Sequence, residues 1–221
     1  MISIYVKEVD GTWFGLAYIG EEIVATAINS TKEKTIGSLL RSIQFDVEQK
    51  IVEEGSEFAE KTIRMLKELD SGSEESTSFS LAAEYIPEPT VKVLKAAAAI
   101  PIGYVTSYGN IVKTADIEPR IVGRIMAANP LYPIVPCHRV VGADFSLVGY
   151  GGRKNLPALR AKLARLSKEV RGFAREKEVL VNGKKLAVYP VEYVIKKAKK
   201  RGLDSSRQQK LFDNRKSNSV M

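Results

Sequence analysis

The chain has 221 residues, 27% of them charged, and a formal net charge of +8. That length holds one large domain or two small ones and buries a sound core, and a 44% hydrophobic content with a pI near 9.4 describes a globular protein suited to a polyanionic partner. One cysteine and one histidine exclude an intrachain disulfide and an ordinary structural zinc site of Cys and His ligands.

No apolar run approaches the ~20 residues of a membrane span, and the N-terminal stretch lacks a signal-peptide pattern. A reducing, cytoplasmic setting is expected. Ile2 to Val9 is rich in β-branched residues and ends at Asp10-Gly11, a hairpin signal. Trp13 to Ile19 and Ile23 to Ile28 continue a meander, with Gly20 at the second turn. Ile36, Leu39, Leu40 and Ile43 have helical spacing, as do Phe58, Ile63, Leu66 and Leu69. Asp70 to Ser78 lacks large apolar residues and reads as a loop or linker closing a first domain, 1–78. Nothing in that domain carries catalytic chemistry; Trp13 and Tyr18 read as core.

A second domain, 79–170, opens at Pro87 and Pro89. Thr90 to Ala99 is a helix pattern with Thr90 as its N-cap, ended by Pro101. Tyr104 to Tyr108 has strand composition. Asn110 to Ala115 and Arg120 to Ala128 are two short helices across a break at Asp116 to Pro119, the pattern of a helix-turn-helix. On the second helix Gly123 and Ala127 share a face. Small residues there either admit a close-packed surface or serve helix-on-helix packing. Arg120 and Arg124 form a basic face fit for phosphate contact.

Ile134 to Val141 reads I-V-P-C-H-R-V-V and sets Cys137 beside His138. Its apolar flanks look like a buried strand broken by Pro136. A thiol becomes a nucleophile as thiolate, and an imidazole can take its proton. Neighbours on an extended segment point to opposite faces, so contact needs a bend or a relaying water. The alternative is a buried structural cysteine with a surface histidine.

Residues 171–203 read as a further extension: a hairpin across Asn182-Gly183 and a helix from Val191 to Lys200 with a basic end. Residues 204–221 form a polar tail of disordered composition. Within it Gln208-Gln209-Lys210-Leu211 resembles the start of a sliding-clamp binding motif, but Asn214 and Arg215 stand where aromatics belong.

Asn129-Pro130, the Pro136-Cys137-His138-Arg139-Val140 string and Gly149-Tyr150-Gly151-Gly152 together resemble the O6-alkylguanine-DNA alkyltransferase family. The resemblance is strong from Pro87 to Gly152 and weak beyond. It implies an α+β protein: a small sheet-plus-helix domain supporting a mostly helical, winged helix-turn-helix-like domain. It implies single-turnover transfer of an alkyl group from O6-alkylguanine in double-stranded DNA to Cys137. No metal or organic cofactor is implied, and the protein is expected to be a monomer.

By the same resemblance Tyr108 donates to the guanine ring, Ser107 lies beside it at the DNA, and Asn129 braces the cysteine turn. Arg120 enters the stack in place of a flipped nucleotide, and Gly123 and Ala127 let the helix approach the minor groove. The Val140 carbonyl accepts from the guanine amino group, while Tyr150 and Gly151 cover the alkyl pocket. A glutamate orients the histidine in a Cys–water–His–Glu network. Ala164 stands at its ungapped position, and Glu169 fits if residues are inserted around Leu156 to Arg160; Glu176 and Glu178 are further options. Tyr132, at a position that is proline in some relatives, and Val148 are expected to narrow the pocket against bulky benzyl adducts. Rival readings are a noncatalytic binder of alkylated DNA, which Cys137 argues against, and a cysteine hydrolase. The hydrolase would need its one imidazole to serve from the next residue.

Overall fold

The computed structural model describes residues 1–43, 47–72 and 80–203. Most of the expected linker and the whole tail, with its clamp-like string, lie outside the described residues. β1 (Ile2–Val9), β2 (Thr12–Ile19) and β3 (Glu22–Asn29) form the expected antiparallel meander. Asp10 and Gly11 both take positive φ, 51° and 73°, as a two-residue type I′ hairpin requires. Two short strands were not legible in the sequence: β4 (Gln49–Val52), parallel to β1, and β5 (Ser80–Leu81), parallel to β3. The sheet order is β4-β1-β2-β3-β5.

Alternate residues on these strands face two helices. Ile4, Ala17 and Val24 pack with Leu39 of α1 (Lys32–Ser42). Tyr5, Leu16 and Tyr18 pack with Ile63 and Leu66 of α2 (Glu57–Ser71). Gly15 permits the first packing, because a Cβ there would lie 2.5 Å from Thr35 Cγ2. Asp70 and Ser71, expected as loop, close α2, which ends at Gly72 in the left-handed conformation.

α3 (Glu88–Ala98) begins after Pro87, so Thr90 is inside its first turn and is not its cap. Pro at the first positions of a helix loses no intrahelical donor, which lets the helix start earlier than the Thr signal. β6 (Tyr104–Ser107) leads into α4 (Tyr108–Ala115); Asp116 at φ 59° turns the chain, and α5 (Pro119–Ala127) follows. The expected strand around Ile134 is not formed. Residues 132–135 are turn and bend, Cys137–Arg139 is a 3₁₀ turn, and β7 is only Val140–Val141. Pro130, Pro133 and Pro136 interrupt any ladder there.

α6 (Leu156–Lys168), β8 (Lys177–Val181), β9 (Lys184–Pro190) and α7 (Glu192–Lys200) complete the described chain. The hairpin turns on Asn182 and Gly183, both at positive φ. β9 pairs with β6, so the second sheet runs β7-β6-β9-β8 and the extension is part of it. One apolar cluster runs from Tyr5 and Leu16 through Leu131 and Cys137 to Leu186. Thr26 on β3 donates to the Pro130 and Tyr132 carbonyls from its N–H and hydroxyl, both at 2.7 Å. The first sheet thereby supports the turn that carries the cysteine.

Candidate active site

The 3₁₀ turn at Cys137–Arg139 places both Cys137 and His138 in the interior, 8% and 6% exposed. Asn129 fixes its approach. Its Nδ2 donates to the Val135 carbonyl at 2.8 Å, and its Oδ1 accepts from the Leu131 N–H at 3.0 Å. Burial pushes the thiol pKa up, opposed in part by Asn129, Lys162 and Arg165. The resting group is therefore a thiol and needs a base.

Behind it, His138 Nε2 lies 2.7 Å from Glu169 Oε1. The same carboxylate accepts from Arg139 Nε at 2.8 Å and Nη2 at 3.0 Å, while Arg139 Nη1 donates to the Ile100 carbonyl at 2.8 Å. Burial works against ionisation of Glu169, but its bonds to His138 and Arg139 outweigh it and hold the carboxyl at about 2. Burial lowers the His138 pKa, against the pull of Glu169, so the ring is neutral at pH 7. With the carboxylate ionised, Nε2 carries the proton and donates. Nδ1, buried and without a hydrogen-bond partner among the described residues, then offers a lone pair.

Glu169 is the C-cap of α6, where an anion opposes the helix dipole. Its place there is set by His138 and Arg139 and not by helix stability. Leu156 to Arg160, where an insertion was expected, form the opening turns of α6. Glu176 and Glu178 lie exposed beyond it and on β8.

In front of the thiol is a cleft of about 950 Å³. Tyr108, Arg120, Gly123, Arg124, Ala127, Cys137, Val148, Tyr150 and Gly151 all line it. α5 therefore presents its small-residue face to the cleft. A Cβ on Gly123 would meet nothing within 4 Å, so no helix among the described residues packs at Gly123, against the packing alternative. Arg120 and Arg124 are exposed at the rim. Burial raises the Tyr108 hydroxyl to about 12, leaving it protonated as a donor. Ser107 caps α4, its hydroxyl accepting from the Asn110 N–H at 3.1 Å.

Tyr132 does not line that cleft. It lines a second cavity of about 730 Å³ that reaches Cys137 from the side of the first sheet. Its hydroxyl donates to Asp70 at 3.2 Å, Arg165 stacks 4.9 Å above its ring, and the Arg165–Asp70 ion pair is 2.5 Å. Tyr132 also meets Tyr150 edge-on at 6.2 Å. It is thus a wall tied to α2 and α6, whereas Val148 and Tyr150 stand at the mouth.

Three groups escaped sequence reasoning. Arg139, inside the quoted string, holds Glu169. Asp70 reads as linker but anchors Tyr132. Lys162 is fully buried and donates from Nζ to the carbonyls of Val140 at 2.6 Å and Gly149 at 3.0 Å. The Val140 carbonyl, expected to face guanine, thus already holds one donor. A lysine within the Leu159, Leu163 and Leu166 stripe was the signal available for Lys162.

Among the described residues no cluster of His, Cys, Asp or Glu could hold a metal ion. The profile of the 6-O-methylguanine DNA methyltransferase DNA-binding domain matches residues 88–171. A methylated-DNA–protein-cysteine methyltransferase of Pyrobaculum aerophilum is 57% identical over 53 residues, 24% of this chain and 36% of that protein. One of Methanocaldococcus jannaschii is 30% identical over 145 residues, 65% of this chain and 82% of that protein. The chain thus spans about a third of the first relative and four-fifths of the second. The crystal structure of the O6-methylguanine-DNA methyltransferase of Pyrococcus kodakaraensis shares the fold. Its TM-score is 0.53 at 22% identity, over 75% of this chain and 98% of that one.

Proposed function

Because this chain belongs to the methylated-DNA–protein-cysteine methyltransferase family, we propose that it repairs O6-alkylguanine in double-stranded DNA by moving the alkyl group to its own Cys137. One observation carries the reading. The only thiol of the chain lines a cleft beside the small-residue face of α5, and the next residue, His138, is buried in a pair with Glu169.

His138 takes the thiol proton at Nδ1 through a relaying water, since no hydrogen bond joins Nδ1 to the thiol. The thiolate attacks the alkyl carbon in line; the S–C bond forms as the C–O6 bond breaks. Guanine leaves as an anion, and the Tyr108 hydroxyl, still protonated, donates to the developing charge. The proton held on His138 balances the product. The thioether is stable, so each molecule acts once. A stacked, paired base cannot reach a buried thiol, so the nucleotide must leave the stack, and Arg120 at the rim fills its place. The free thiol needs a reducing compartment such as the cytoplasm, and the protein acts as a monomer.

Intact mass tests the proposal. After incubation with duplex DNA carrying O6-methylguanine, the chain is expected to gain one methyl group on Cys137, in stoichiometric amount, and Cys137→Ala to gain none. DNA binding without mass change would make it a binder of alkylated DNA.

Arg120→Ala is expected to slow reaction with the duplex lesion by about tenfold or more while leaving the free base O6-benzylguanine unaffected, since only the duplex needs a flipped nucleotide. Second-order rates on both substrates check this. Equal losses would remove Arg120 from the flipping step. Arg124→Ala should weaken DNA binding and flatten its salt dependence.

A further inference from the structure

The loop from Gly142 to Gly149 forms one wall of the cleft through Gly142, Val148 and Gly149. Its crown is turned away from the cleft and onto the C-terminal extension. Phe145 takes φ 61°, a strained choice for an aromatic residue. Its ring meets Tyr189 of β9 and Tyr193 of α7 edge-on, each at 5.2 Å. Asp144 Oδ2 accepts from Lys197 and Arg201, each at 3.2 Å, and Asp144 Oδ1 accepts from the Ser146 N–H at 3.1 Å. Phe145 and Leu147 join the apolar cluster of Val105, Leu166, Val191 and Val194.

The loop has little freedom of its own to hold this shape. Gly142 allows it only for lack of a side chain, because a Cβ would lie 2.6 Å from Ser146 Oγ and 3.1 Å from Val148 Cγ1. The Gly142 N–H donates to the Ser146 carbonyl at 2.9 Å and closes the turn. A shift of Phe145 would therefore be carried to Val148, three residues away at the mouth. Tyr189, Tyr193, Lys197 and Arg201 all lie beyond residue 171, where the match to the family profile ends.

We propose that β9 and α7 brace the Gly142–Gly149 loop, with Phe145, Tyr189 and Tyr193 as positioning residues that hold Val148 over the pocket and limit the size of alkyl group transferred. The proposal rests on the alkyl-transfer reading, and its test separates the two. Cys137 is the sole thiol, so its reaction with iodoacetamide and with a bulky aryl maleimide reads the entrance without any guanine. In Phe145→Ala and Tyr193→Ala the maleimide-to-iodoacetamide rate ratio is expected to rise about fivefold. The ratio of O6-benzylguanine to O6-methylguanine-DNA rates should rise in parallel, with DNA affinity unchanged. Tyr193→Phe keeps the ring and should restore both ratios. The surface double variant Lys197→Ala/Arg201→Ala guards against a folding failure and should move both ratios the same way, by about twofold. Unchanged ratios in every variant overturn the brace. Thiol-reagent ratios that rise in a protein inert to both guanine substrates keep the brace and sink the alkyl-transfer reading.

Discussion

Glu169→Ala is expected to slow transfer to Cys137 by about 10²–10⁴-fold and to destabilise the protein by roughly 3–5 kcal/mol. The rate effect follows from the tautomer. Without the carboxylate, nothing keeps the proton on His138 Nε2, and Nδ1 is no longer reserved as the acceptor. The stability effect follows from Arg139, whose Nε and Nη2 lose both carboxylate contacts while its guanidinium stays mostly buried. Glu169→Gln separates these effects. It keeps an acceptor for Nε2–H but leaves Arg139 without a counter-charge, so stability should fall more than the orientation of the ring.

The pH dependence has a determined sign. The Glu169 carboxyl is depressed in the folded protein from 4.5 to about 2, so its contribution is full above pH 4.5 and is lost as the pH falls toward 2. His138 is also depressed, from 6.5, so its protonation opposes folding and the loss begins below pH 6.5. Denaturant midpoints of wild type and Glu169→Gln from pH 7 to 3 check this. The wild type should converge on the variant as acid is added. A constant gap would show that the carboxylate contributes no pH-linked stability.

The fold was largely legible because its signals are local. Asp10-Gly11 and Asn182-Gly183 specify hairpins whatever surrounds them, and the stripes on α1 and α2 fix their buried faces. β4 and β5 were not legible: Gln49–Val52 is mostly exposed, and two residues at Ser80–Leu81 carry no pattern. The strand expected before Cys137 failed because three prolines outweigh β-branched composition. At the site, the string gave Cys137 and His138 together, residue types gave the basic and small faces of α5, and only the family resemblance gave Tyr108 and the role of Arg120. What joins His138 to Glu169 spans 31 residues and a loop with its own tight turn at Tyr150–Arg153. No spacing rule carries across that. Arg139, Lys162 and Asp70 share one property: they are charged residues that a sequence assigns to solvent.

Lys162→Met is expected to cost about tenfold to a hundredfold in transfer rate while leaving stability at pH 7 within about 1 kcal/mol of wild type. Two opposed effects decide the stability. Burial depresses the Lys162 pKa from 10.5 to about 8, so holding the charge inside at neutral pH costs roughly 3 kcal/mol, which methionine removes. Methionine also orphans the carbonyls of Val140 and Gly149, at about 1–3 kcal/mol each, and the two effects nearly cancel. Lys162→Ala adds a cavity to the same loss and should cost about 2–5 kcal/mol more. The rate has no such compensation. Val140 and Gly149 flank the two ends of the pocket loop, and Lys162 bridges them while adding positive charge that favours the thiolate. The linkage gives an independent check. A base depressed in the folded state makes stability rise with pH, here from about 8 to 10.5, and Lys162→Met should lack that rise. If Lys162→Met proves as unstable as Lys162→Ala, the charge itself stabilises the fold. If it reacts at the wild-type rate, the loop does not depend on its two ends being tied.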